Sequence, residues 1–164
     1  MKKLILIRHA KSVSHGYDQD FDRKLTQKGE EDAQTISLEL QKMDIHADLF
    51  IASPAVRTSQ TAWIYADTLG YPRNKILFEK KLYSGKTPEN FLIMLQELED
   101  EKETVVVVGH NPTVYYYMHF LLRSFNDDVP TCSTVEIDFD VDSWSKLKDH
   151  QGKMTFRLIP DMFK

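Results

Sequence analysis

Two runs of four residues, Leu4-Ile5-Leu6-Ile7 and Val105-Val106-Val107-Val108, are apolar at every position. Successive side chains of a strand point to opposite faces, so a strand with no polar alternation must be covered on both sides. Such strands belong to the centre of a parallel sheet with helices above and below. A third stretch, Leu49-Phe50-Ile51-Ala52, has the same character. Each run ends abruptly in polar residues: Arg8-His9 after the first, Ser53-Pro54-Ala55-Val56-Arg57 after the middle one, and Gly109-His110-Asn111-Pro112 after the last. Ligands in open α/β sheets sit just beyond the carboxyl ends of the strands. Three strand ends therefore present two arginines and two histidines, a set suited to an anion, and one histidine could act as a nucleophile.

Helical patterns alternate with these strands, which signals βαβ units. Thr26 reads as the N-cap of a helix with Ala33, Ile36, Leu40 and Met43 on its apolar face. Ser53-Pro54 reads as the cap and first residue of another, along which Ala55, Ser59, Ala62, Ala66 and Leu69 recur until Gly70 and Pro72. A short strand is expected near Lys75–Phe78. Thr87-Pro88 opens a helix with Phe91, Leu92, Leu95 and Leu98 inward, and Asn111-Pro112 caps one carrying Val114, Tyr117, Met118, Leu121 and Leu122. The tail suggests a strand pair near Val135–Phe139 and Lys153–Ile159. Lys11 to Lys24 is too long for an ordinary turn and reads as a functional loop. No linker or repeat divides the chain, so residues 1–164 are expected to form one domain.

The net charge of -4 offers no general attraction to nucleic acid or anionic membrane, so affinity for phosphate must be local. The Tyr115-Tyr116-Tyr117 run reads as one core residue with two on its flanks rather than a platform for bases. No apolar stretch approaches the length of a membrane span, and the single cysteine, Cys132, fits a reducing, cytoplasmic setting and a buried filler role. A divalent metal on His9 and His110 would be repelled by Arg8 and Arg57, so no metal or cofactor is expected. His15, His46, His119 and His150 carry no motif.

In their order and placement, Arg8-His9, Leu25-Thr26 with Gly29, Ser53-Pro54 with Arg57 and Thr61-Ala62, and Gly109-His110-Asn111-Pro112 resemble the histidine phosphatase superfamily, the phosphoglycerate mutase-like fold. The resemblance covers nearly the whole chain. It implies a three-layer α/β/α sandwich with a mostly parallel central sheet. It also implies His9 as the residue that becomes phosphorylated, with Arg8, Arg57 and His110 holding phosphoryl oxygens and His110 serving best when protonated. Arg23 and Asn111 join the substrate-binding set by the same resemblance, although Lys24 stands where short relatives carry proline after Arg23.

Many relatives that act on phosphate esters carry a glutamate after the third strand as general acid. Here Lys80-Lys81-Leu82-Tyr83-Ser84-Gly85 offers Ser84, a poor proton donor, while Glu79 and the loop residues Asp18, Asp20 and Asp22 remain candidates. The imidazole of a phosphohistidine can carry its own proton and needs no enzyme acid, whereas an alkoxide does. In length and in lacking that acid, the chain is most similar to the small bacterial phosphohistidine phosphatases. The stretch from Arg57 to His110 leaves little room for a lid, so an open pocket admitting a phosphorylated protein side chain is expected. Alternatives are a small-molecule phosphomonoesterase acting on a phosphorylated metabolite, and an inactive phosphate-binding module. The oligomeric state is open.

Overall fold

A computed structural model describes residues 1–164. The three apolar runs lie side by side. Strand β1 (Lys2–Arg8) pairs in parallel with β4 (Thr104–Gly109), which pairs in parallel with β2 (Leu49–Ala52). The short β3 (Leu77–Phe78) adds a parallel edge to β2. On the other side β5 (Thr134–Phe139) runs antiparallel to β1, and β6 (Lys153–Leu158) antiparallel to β5. The order is β3-β2-β4-β1-β5-β6.

Consecutive apolar residues are explained by two separate cores. Leu4, Leu6, Val105 and Val107 face one, while Ile5, Ile7, Val106 and Val108 face the other. The second is covered by α1 (Gln27–Lys42) and α2 (Val56–Leu69), through Ile36, Leu40, Ala62 and Ala66. The first is covered by α4 (Pro88–Gln96) and α5 (Thr113–Leu121), with the one-turn α3 (Lys81–Ser84) at its margin. In this layer Tyr117 stacks flat on Phe91 with ring centroids 4.0 Å apart. The arrangement is the expected three-layer α/β/α sandwich with a mostly parallel sheet. No helix is long and apolar enough to cross a membrane.

Local readings hold in part. Thr26 does cap α1, its hydroxyl accepting from Gly29 N–H at 2.9 Å. Met43 lies beyond the last turn and is exposed, because the helix ends one residue earlier than its apolar spacing suggests. Ser53-Pro54 does not open α2; Ala55 is its N-cap, and Ser53 is drawn elsewhere. Nor does the Asn111 side chain cap α5, where Pro112 holds the N-cap position. Cys132 is fully buried beneath the Tyr65 hydroxyl, and burial pushes its thiol up to about 12.

Candidate active site

Strand register assembles the site. Arg8 stands opposite Gly109 and Ala52 opposite Val108, so the residues just past β1, β4 and β2 are neighbours along one sheet edge. His9 is pinned there by its own backbone: its N–H donates to Gly109 O, and its carbonyl accepts from Cys132 N–H, both at 3.0 Å. The rings of His9 and His110 sit 5.4 Å apart at 60°.

Hydrogen bonding fixes both imidazoles. His9 Nδ1 lies 2.7 Å from the Ala10 carbonyl, which can only accept, so Nδ1 carries the proton and Nε2 keeps a free lone pair. The Ala10 N–H in turn donates to Thr61 Oγ1, and that hydroxyl donates to Arg57 O at 2.7 Å. One threonine on α2 thereby ties the nucleophile candidate's neighbour to the helix carrying Arg57. Burial lowers the His9 ring to about 4, with the charges of Arg57, Arg8 and Arg23 adding to the shift against the opposing Ala10 hydrogen bond. His9 is therefore neutral at neutral pH.

Burial likewise lowers His110, to about 3, with His9 and Arg57 contributing. Ser53 Oγ accepts from Ala55 N–H and stands 2.8 Å from His110 Nε2, a contact in which either group can be the donor. His110 Nδ1 is buried and has no protein partner. The expectation of a protonated His110 gives way to a neutral ring that can still donate.

Arg8 Nη1 donates to Val129 O at 2.8 Å, while its Nε is buried without a partner. Arg57 is 6% exposed; its Nη1 donates to the Asp20 backbone carbonyl and its Nη2 to Asp20 Oδ2, and its Nε is also unpartnered. Arg23 reaches the same carboxylate, with Nε 3.0 Å from Oδ1, and anchors itself to Ser12 Oγ and Val13 O. The structure thus gathers Arg8, His9, Arg23, Arg57 and His110. Asn111 adjoins them in sequence, but its amide donates to Val129 O, the carbonyl that also receives Arg8, so its side chain braces a loop.

Among the acidic candidates, only Asp20 bonds to a site arginine. Partial burial pushes its carboxyl up, but hydrogen bonds from Tyr83, Arg23 and Arg57 outweigh that and hold it at about 2. Asp18 and Asp22 are exposed, and Glu79 accepts from Lys81 N–H at the start of α3. Ser84 lines a separate cleft of about 490 Å³ with Lys86 and Met94. Tyr83, which sequence reasoning passed over, donates its hydroxyl to Asp20 Oδ2 and sets its ring edge-on to His110 at 5.6 Å. Ser53 was assigned only a capping role. His9 and His110 are 7% and 9% exposed.

Residues 4–82 match the sequence profile of the histidine phosphatase superfamily (branch 1). An uncharacterized protein of Picosynechococcus sp. is 30% identical over 116 residues, covering 67% of each chain. The fold is shared with the protein histidine phosphatase SixA solved with tungstate, at a TM-score of 0.85, 21% identity and 99% coverage of both chains. It is shared equally with a phosphohistidine phosphatase SixA, so designated provisionally, from Nakamurella multipartitia, at a TM-score of 0.84, 22% identity and coverage of 97% and 96%.

Proposed function

This chain belongs to the histidine phosphatase superfamily, and from that premise we propose that it hydrolyses the N–P bond of phosphohistidine on a protein through a phosphorylated His9. His9 Nε2 attacks phosphorus in line while the bond from phosphorus to the substrate imidazole breaks. The bonding pair stays on that ring nitrogen, and the ring's other nitrogen already holds a proton. Water then attacks the phosphorus on His9, phosphate leaves, and His9 regains its lone pair.

Arg8, Arg57 and His110 would bind the charge that spreads over the equatorial oxygens, the main source of rate in phosphoryl transfer. Support comes from Arg8 Nε and Arg57 Nε, two buried donors that no protein acceptor satisfies, and from His110 Nδ1, which is buried and likewise unpartnered. Leaving such a group unpaired costs about 1–3 kcal/mol, which an oxyanion at the site would offset. The tungstate in the SixA structure of the same fold is an oxyanion of this kind. The single thiol Cys132, buried and unpaired, suits a reducing cytoplasmic compartment.

The observation that carries the choice of substrate is Asp20. Its two carboxylate oxygens already receive donors from Arg23, Arg57 and Tyr83, so the carboxylate beside the site has no proton to give an alkoxide. A leaving group that brings its own proton escapes this deficit.

Rapid-quench labelling tests the reading. An acid-labile phosphoenzyme should form and vanish in His9→Ala, and a phosphoramidate should turn over at least about 100-fold faster than an alkyl phosphate, the scale of a missing general acid. Equal rates would point to a small-molecule phosphomonoesterase. Wild-type turnover by His9→Ala would end the mechanism.

A further inference from the structure

Arg57 commits both terminal nitrogens to one residue: Nη1 to the Asp20 carbonyl at 2.9 Å and Nη2 to Asp20 Oδ2 at 3.0 Å. Arg23 closes on the carboxylate from the other side, Nε at 3.0 Å and Nη2 at 2.9 Å from Oδ1. The Tyr83 hydroxyl completes the set at 2.9 Å from Oδ2. One arm of Arg57, the fork of Arg23 and a phenol hold this carboxylate as such groups hold phosphoryl oxygens. The carboxylate is half exposed, where an ion pair adds little stability. Asp20 itself sits on a single 3₁₀ turn, Asp20–Asp22, with no buried residue to anchor it.

We propose that Asp20 is a resident competing anion that occupies the Arg57 fork until a phosphoryl group displaces it, so that it weakens every phosphoryl ligand of the site by a common factor. The proposal rests on the reading of Arg57 as a phosphoryl ligand. Displacement exchanges the negative charge of Asp20 beside Arg57 for that of the ligand. Each ligand meets the same cost of releasing the carboxylate, so its apparent affinity falls by the same factor whether it carries one charge or two. Tyr83 donates to the carboxylate, and its ring lies edge-on to His110.

Calorimetric titration with inorganic phosphate and with dimethyl phosphate, on wild type, Asp20→Asn and Tyr83→Phe, tests this. In Asp20→Asn, phosphate should bind about tenfold tighter, a conservative figure for removing one charge from beside a dianion. Dimethyl phosphate should tighten by a similar factor, because both anions displace the same carboxylate. Tyr83→Phe should tighten phosphate binding in the same direction but less. Circular dichroism confirms that each variant is folded. Unchanged or weaker phosphate binding in Asp20→Asn overturns the proposal and leaves Asp20 as a brace for Arg57. Because binding is read without turnover, a protein that meets these expectations yet leaves phosphohistidine intact would overturn the proposed substrate and not the role of Asp20.

Discussion

Ser53 Oγ lies 2.8 Å from His110 Nε2, although the two residues are 57 apart in sequence. They meet because Ser53 follows β2 and His110 follows β4, and those strands are paired. The hydroxyl is fully buried, and it holds the His110 ring by its Nε2 side.

Ser53→Ala should therefore act on both stability and rate. It leaves His110 Nε2 buried without a partner, at a cost of about 1–3 kcal/mol in urea unfolding. It also frees the ring to turn, so that Nδ1 is no longer held in the position where it stands unpartnered in the site. The value of kcat/KM should fall about tenfold, or roughly 1.4 kcal/mol of transition-state binding. A variant unchanged in both respects would show that the serine does not hold the ring of His110.

The depressed histidines give a signed pH dependence. The His9 nucleophile is lost only when the ring is protonated, so the acid limb of kcat/KM should centre near 4 rather than near the ordinary 6.5. A limb at 6.5 would contradict the burial and arginine charges that lower it. Stability moves through a related window. His9 and His110 bind protons near 6.5 in the unfolded chain but only near 4 and 3 when folded. Below 6.5 the unfolded state holds more protons, and folding stability falls with pH until both folded values are passed. Urea midpoints at pH 7 and pH 5 should differ in that direction, and His110→Gln should narrow the gap.

These contacts also mark where sequence reasoning runs out. The doubly apolar runs made the central strands and both cores legible, since only cover on two faces tolerates such a pattern. Arg8, His9, Arg57 and His110 were legible because each follows a strand end or opens the helix after it. Asp20 could not be separated from Asp18 and Asp22, because the choice is made by Arg57, 37 residues away. Ser53 beside a proline carries a strong local capping signal, yet α2 is capped at Ala55 and the buried Ser53 hydroxyl meets the His110 imidazole. Tyr83 lay in a segment searched for a proton donor, and its hydroxyl serves to hold an acceptor instead. Asn111 shows the converse: the motif placed it beside His110, but the Val129 carbonyl takes its amide. Each miss is a side-chain contact between residues distant in the chain.

Gly29 tests how tightly the loop after His9 is held. It lies inside α1, where alanine would ordinarily add about 1 kcal/mol of stability. A Cβ there would overlap the Lys11 carbonyl oxygen, which also accepts from Thr26 N–H at 3.0 Å and faces the Thr26 hydroxyl at 3.3 Å. A backbone oxygen cannot swing aside as a side chain can, so Lys11 must shift and carry Ala10 with it. Ala10 supplies the carbonyl that orients the His9 ring. Overpacking of this kind costs about 1–3 kcal/mol, which exceeds the propensity gain. Gly29→Ala should thus unfold at lower urea and lose kcat/KM, although no atom of Gly29 bonds to His9. A higher urea midpoint with full activity would mean that α1 and the Lys11 loop do not approach this closely, and that the aim of His9 is set by Thr61 and the strand ends alone.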